Sequence, residues 1–393
     1  CDYDFIDPKK DLETRSFNPG SYAYADKEVY DYPGKYYENG LGSNLSRIRL
    51  EEIQAATEQS QGEGNSSKIT TGQLFALSNF PRDDQNTDYL VVGTQIDLHS
   101  DNFISREIEK ASTDTGELEV FRCRFVVLKH SIPFRAPSVT PKGRVDGPQT
   151  AVIVGPPGEE IYTDAHGRVK VQFHWDRLGG LNEKSSCWIR VSQNWAGKAW
   201  GGVFLPRIGQ EVIVDFIEGD PDRPIITGRF YNGDNGVPYD LPANKTQSGV
   251  KSRSSKGGTP NNFNELRFED KIGQEEVYIQ AEKDQNNLVK NNETTVVGVD
   301  RTEDVGNNET ITIGNDRTEK VGNNETISIG NDRAEDVGNN ETIAIGNNRS
   351  ETVGSNEDIA IGINQSIKIG SNKSVTIGAN KTETISAASA ETI

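Results

Sequence analysis

Four histidines stand in the chain, at His99, His130, His166 and His174. His166 and His174 flank a strand-like run that also carries Asp164 and Asp176, donor types that could hold a divalent cation. Their spacing argues against it, because imidazoles that far apart on a strand need not converge. Neither an EF-hand loop nor a His-Glu-x-x-His helix is present. GPPGEE at 155–160 is glycine-rich but lacks the Lys-Ser/Thr of a phosphate loop, so it reads as a turn. Asp220 and Asp222 in GDPDRP resemble a catalytic carboxylate pair, yet Asp and Pro between two β runs make an ordinary corner. Cys187, between Ser186 and Trp188, reads as a buried small residue rather than a reactive thiol. Trp175, Trp188, Trp195 and Trp200 read as barrel core and subunit contacts rather than a ligand cage. No catalytic residue, cofactor site or metal site is expected.

The elements around these residues follow from composition and pattern. A chain of 393 residues has room for two or three domains. Sixty acidic against 42 basic residues give a net charge of -18, which argues against non-specific nucleic-acid binding and against an anionic membrane surface. No run approaches the roughly 18 apolar residues of a spanning helix. Cys1, Cys123 and Cys187 are too scattered for a disulfide framework. The chain opens on Cys1 in the strand-like CDYDFIDP, so its N-terminus is expected to lie further upstream.

From residue 291 onward the composition changes. Aromatics end at Tyr278 and prolines at Pro260, and residues 291–393 hold 17 acids and 8 bases, a net of -9. Composition alone would make this tail disordered, but it carries a repeat. Glycine recurs every eighth residue, at Gly298, Gly306, Gly314, Gly322, Gly330, Gly338, Gly346, Gly354, Gly362, Gly370 and Gly378. Val or Ile precedes each one, and Asp or Asn follows two residues later. Corner chemistry accounts for those Asp and Asn residues without bound cations. Eight fits neither a heptad nor an eleven-residue helical repeat. β-Branched runs cut by Gly-Asn and Gly-Ser read as one strand plus one bend per octad, with the glycines as corners.

Residues two apart share a strand face. On that face Ile311/Ile313, Ile327/Ile329 and Ile343/Ile345 alternate with Glu303/Val305, Glu319/Val321, Glu335/Val337 and Glu351/Val353, giving a true period of 16 until about residue 358. Beyond it the face is more uniformly apolar, through Ile359/Ile361, Ile367/Ile369 and Val375/Ile377. A three-sided single-chain solenoid would stack every Ile octad on a Glu octad. A two-sided one would build a glutamate ladder at about 4.8 Å spacing. A threefold trimer keeps each level homogeneous and leaves no lateral sheet edge. Arg301, Arg317, Arg333 and Arg349 share the parity of the glutamates, so each Glu is expected to meet an Arg or turn to the wall.

Upstream the texture is globular. TDYLVVGTQIDLH and LEVFRCRFVVLKH read as antiparallel strands, LSRIRLEEIQAATEQSQ (about 45–61) as the one good helix, and SIPFRAPSVTPKG as a Pro-rich joint. QTAVIVG, GRVKVQFHW, SCWIRVS, QEVIVDFI and PIITGRFY supply about five closely spaced strands, which suits a small barrel such as an OB-fold.

The block GPQTAVIVGPPGEEIYTDAHGRVKVQFHWD, SSCWIRVSQNWAG, PRIGQEVIVDFIEGDPDRPIITGRFYN and NELRFEDKIGQEEVYIQAEKD resembles the VgrG family, the valine–glycine-repeat spike proteins of bacterial type VI secretion. VYDYPGKY, RIRLEEIQA and NFPRDD resemble the end of the family's base domain, itself similar to the hub of contractile phage tails. The resemblance implies an all-β homotrimer. Residues 1–137 would be the end of the base domain, 138–240 the OB barrel, 241–284 a connector and the start of the needle, and 285–393 an intertwined triple β-helix. It implies a non-enzymatic spike whose base docks on tube-protein rings and whose tip receives a conical cap protein and effectors. Such a spike would be assembled in the cytoplasm and then expelled through a target membrane. A phage-tail-like baseplate spike is a variant of this reading. A glycan-cleaving tail enzyme has no residues here to stand on, because 241–290 offers only a polar connector, KTQSGVKSRSSKGGTPNNFN, followed by needle strands. A repeat adhesin explains the octads but not the middle block. Ile393 falls at the pre-glycine position of another octad, so continuation of the needle is expected.

Overall fold

The computed structural model describes residues 1–98 and 120–386, which fall into two compact units, Cys1–Lys290 and Asn291–Ile393. Strands dominate and helix is sparse, as an all-β reading requires. Helix α1 spans Asn39–Ala55, earlier than the 45–61 expected from sequence. Gly40 and Gly42 argue against helix there by propensity. Gly42, however, is buried against Tyr36, where a Cβ would come within 2.4 Å of the ring, so close packing decides. The residues read as the helix end instead start β1 (Gln59–Gly64).

With β2 (Leu74–Ala76), β3 (Asp88–Leu98) and β4 (Phe121–Lys129), β1 forms an antiparallel sheet of order β1-β4-β3-β2. Its buried row is Tyr89, Val91 and Val127, with Phe75 and Phe125 packed against it. The two runs read as strands are β3 and β4; His99, which ends the first, and Leu118 and Glu119, which begin the second, lie outside the described residues. The Pro-rich joint after β4 is fastened at both ends. Arg135 Nε donates to Glu51 of α1 at 2.7 Å, and the Ser138 amide donates to Glu52 at 2.5 Å. At the far end Lys142 Nζ reaches Asp220 and Asp222 at 2.5 and 2.6 Å.

The middle block is a closed five-stranded barrel. Its strands are β5 (Gln149–Val154), β6 (Lys170–Phe173), β7 (Arg190–Val191), β10 (Glu211–Phe216) and β11 (Pro224–Phe230), and a small hairpin, β8 (Trp195–Gly197) and β9 (Trp200–Gly202), lies between β7 and β10. The order β6-β5-β10-β11-β7, with β11 and β7 parallel, closes through a bridge between Val169 and Ile189, which is the connectivity of an OB barrel. Alternation places Ala151, Ile153, Val169, Val171, Ile189, Val212, Val214 and Ile226 in one buried cluster. Each fully buried Val or Ile there contributes about 1.5–3 kcal/mol. The N-terminal residues also lie on this barrel. The Phe5 ring sits beneath the Arg190 and Arg168 guanidinium groups at 4.5 and 5.3 Å, and the buried Asp2 carboxylate faces Arg223 at 3.5 Å.

After the barrel come β12 (Gln247–Lys251), β13 (Glu265–Glu269) and β14 (Glu276–Gln280), a three-stranded antiparallel sheet. The segment read as purely polar connector thus already contains a strand, β12, paired along its whole length to β13. In the second unit a two-residue bend falls at each octad glycine and the residue after it, from Gly298–Val299 to Gly378–Ala379. The same cadence begins without glycine, at Glu282–Lys283 and Lys290–Asn291. Between bends the chain is extended, and the described tail residues make no backbone–backbone hydrogen bond with one another.

Candidate trimerisation surface

The sheet β12–β14 is amphipathic in the unexpected sense. Register sets Val250 beside Leu266 and Ile279, and Ser248 beside Phe268 and Val277, so these side chains share one face. Val250, Leu266, Phe268, Val277 and Ile279 are 40 to 65% exposed. The opposite, polar face is the covered one. Glu265 is only 5% exposed, Arg267 Nη2 holds Glu276 at 2.9 Å, and the Arg267 guanidinium lies over the Tyr278 ring at 4.6 Å. The Tyr239 hydroxyl lies over Gly249, where a Cβ would sit 2.5 Å from it. Burial and the neighbouring Glu265 carboxylate push the Tyr239 pKa up. Glu265 Oε1, Arg267 Nε and the Tyr239 hydroxyl are buried without an aligned partner. Charged groups line the protected face and hydrocarbon the open one. A lone chain in water gains nothing from that arrangement; a chain that stacks its open face on copies of itself does.

The octads repeat the pattern. The Val and Ile before each glycine are 46 to 54% exposed and the second apolar residues two positions back 58 to 68%, while off-parity Val296 reaches 87% and Val299 and Ile363, at the bends, reach 90 and 91%. One face of every extended stretch is therefore apolar and partly sheltered, and it is the face read from sequence. Each glutamate on it is met by the arginine two residues earlier in its own chain. Arg301–Glu303, Arg317–Glu319, Arg333–Glu335 and Arg349–Glu351 lie at 2.8, 2.9, 3.0 and 2.9 Å. Those distances place both members of each pair on one face.

The corner glycines sit in open space. None has a positive φ, and a Cβ on any of them from Gly298 to Gly378 would meet nothing within 4 Å of its own chain. The requirement for glycine therefore does not lie in the backbone conformation of one chain, as a forbidden dihedral would demand.

Elsewhere the residues considered for chemistry have local roles. Asp220 and Asp222 together clasp Lys142, whose pKa they raise; burial pushes Asp220 up, but Lys142 and the Asp222 amide together outweigh it and hold the carboxyl below its ordinary range. Asp164 pairs with Arg168 at 2.6 Å and accepts from the His166 amide. GPPGEE is a turn whose Glu159 and Glu160 hold Lys256 and the Gly257 amide at 2.8 and 2.7 Å. Cys187 is exposed, contrary to expectation, because it lies in coil before Ile189 rather than inside a strand. Trp188 packs against Tyr162 with its ring tilted by 33°, but Trp175, Trp195 and Trp200 are exposed and not barrel core. A recess beside Asp176, Gly179, Asn182 and Lys184 is an open dish. Among the described residues no three His, Cys, Asp or Glu side chains converge as a metal site. The face of β12–β14 was missed from sequence. Its signal is the Leu-x-Phe of ELRFE and the Val-x-Ile of EVYIQ, strict alternation with charged or polar residues on the other parity.

Comparison with known proteins agrees with this layout. Residues 1–102 match a family described as phage tail baseplate hub, and 159–231 the type VI secretion system/phage-baseplate injector OB domain. Residues 248–361 and 323–393 match the bacteriophage T4 gp5 C-terminal trimerisation domain. The type VI secretion system spike proteins VgrG1b and VgrG1a of Pseudomonas aeruginosa are each 54% identical to this chain, over 77 and 76% of it. VgrG1c of the same organism is 52% identical over 77%. The chain spans 40, 45 and 41% of the lengths of these three relatives. In solved structures, the E. coli c3393 protein, a type VI secretion component, aligns with 50% of this chain and 44% of its own at TM-score 0.35 and 20% identity. With this homology over three quarters of its length, the chain belongs to the VgrG family of spike proteins.

Proposed function

We propose that this polypeptide is a structural, non-enzymatic spike subunit of a type VI secretion machine that works as a homotrimer. The observation that carries the reading is the open apolar face of β12–β14 followed by octads whose apolar face is also open. Covering one half-exposed Leu, Phe or Ile contributes roughly 1 kcal/mol, and the extended tail amides need partners as well. Two further copies supply both. An interwound trimer bends or frays only by breaking ladders between chains, which suits a rod that is pushed through a membrane. In this reading residues 1–137 face the stacked tube-protein rings, and the octads of 285–393 lead toward a conical cap protein and effectors. The spike is assembled in the cytoplasm and leaves with the expelled machine. Light scattering after size exclusion tests the assembly: about three times the 43.2 kDa of one chain is expected, and a stable folded monomer overturns the reading.

A further inference from the structure

We infer that the charged octads fix the register in which three copies of this chain assemble; the inference rests on the trimer proposed above. Corners recur every eight residues, so a chain that slips against its neighbours must slip by whole octads to keep corners level with corners. If every octad were alike, the octads themselves would oppose such a slip only through their overhanging ends, and register would rest on the upstream sheet alone. They are not alike. Taken by pre-glycine residue, the octads of Val305, Val321, Val337 and Val353 carry an Arg–Glu pair on the inner face, and those of Ile313, Ile329 and Ile345 carry Ile-x-Ile. A slip of one octad sets a charged octad level with an apolar one at every step from 305 to 361.

A slip of two octads would restore that match, but the period breaks further on. The octads of Ile361, Ile369 and Ile377 all carry Ile-x-Ile or Val-x-Ile before the glycine, and an Arg–Glu-type pair returns only with Lys381–Glu383, at 2.9 Å, before Ile385. Sliding by 16 residues therefore sets Val353 against Ile369 and Ile369 against Ile385, charged against apolar both times. The regular half excludes the short slip, and the irregular end excludes the longer one.

The discrimination comes from desolvation. In register, three Arg–Glu pairs share a level, where each carboxylate can also accept from a neighbouring chain and water can enter. Out of register, a pair is pressed against isoleucines that offer no hydrogen bond, and an apolar level loses part of its core. One effect opposes this. A one-octad slip brings Arg301 level with Glu309, since Arg and Glu also alternate two residues further back. Those residues stand next to the bends, where solvent screens the attraction. The more inward glutamates therefore decide. Polar groups that set register against stability are an established device of coiled coils.

The test uses the full chain with Cys1 and Cys187 changed to serine and a spin label on Ala344→Cys, an off-parity site. In one background the sequence is otherwise native. In the other, Arg301, Arg317, Arg333 and Arg349 become Gln and Glu303, Glu319, Glu335 and Glu351 become Ile, copying the native octad Gln365-Ser366-Ile367. Light scattering first establishes a trimer in both. Pulsed electron–electron distance measurement should give one interchain distance in the native background. In the levelled background slipped species with further distances should rise by about tenfold, the change that a register preference of about 1.4 kcal/mol sets. A single distance in both trimers overturns the register role and leaves the trimer standing. Absence of a trimer in the native background overturns the reading on which it rests.

Discussion

In the barrel every strand finds its hydrogen-bond partners within the chain, and the side chains of β5, β6, β10 and β11 close over one another around Ile153, Val171, Val214 and Ile226. Among the described tail residues the extended stretches find none, and the same residue types, valine and isoleucine, stay about half exposed. Both regions are read as β from alternating sequence. What separates them is range: the barrel's partners lie within reach of its turns, whereas the octads turn away every eight residues before any strand can pair with its own chain. The sheet β12–β14 is intermediate: its strands pair with one another within the chain, while its apolar face stays open. Stability in the barrel should therefore be independent of concentration, and in the tail inseparable from it.

The largest expected effect comes from charging the open face of β12–β14. Leu266→Asp with Phe268→Asp should convert the trimer to monomer in light scattering. The Trp188–Tyr162 pair of the barrel should keep its near-ultraviolet dichroism. Loss of both signals together would show that barrel and sheet are one cooperative core.

Next comes the barrel itself. Ile226→Ala, at 1% exposure, should lose about 2–5 kcal/mol by chemical denaturation, as deleting buried methylenes does. The loss should be the same at high and low protein concentration. A concentration-dependent loss would mean that the barrel core is completed by other chains.

Gly330→Val sharpens the contrast from the tail side. Its own chain leaves the added side chain unhindered, so only crowding by neighbouring chains can oppose it. The trimer should weaken by about 1–3 kcal/mol per chain through overpacking, and an unchanged melting temperature would place the close approach of chains elsewhere in the octad.

The smallest effect concerns the joint between α1 and the barrel. Arg135, then Arg47, hold Glu51 below the ordinary carboxyl range, and the Ser138 amide, then Arg49, do so for Glu52. Both folded-state values are depressed, so their stabilisation is present above the usual glutamate pKa and fades as pH falls below about 4. Denaturation midpoints between pH 6 and 3 should fall slightly, and Arg135→Gln should flatten the curve. A midpoint that rises on acidification would contradict the assignment.

Much of this was legible in the residues. The five barrel strands stand out because alternation and glycine corners lie close together, and the octads because their repeat is strict. The parity of the apolar face was legible too, since residues two apart, such as Ile311 and Ile313, share one face of an extended strand. Three features were not. Helix α1 carries Gly40 and Gly42 near its start, and the close packing of Gly42 against Tyr36 overrides propensity. Strand β12 hides in a polar stretch because β13 makes it a strand. The bends at Glu282 and Lys290 carry no glycine, so a motif defined by glycine starts two octads late.

Amide hydrogen exchange on the full chain tests the division between the two regions most directly. It should be followed in the native protein and in Leu266→Asp/Phe268→Asp. The expected result is strong protection of both barrel and octad amides in the native trimer. In the monomeric variant, protection of β5, β10 and β11 should persist while that of residues 300–386 collapses. Octad amides that stay protected in a monomer would contradict it, because their partners would then lie within a single chain.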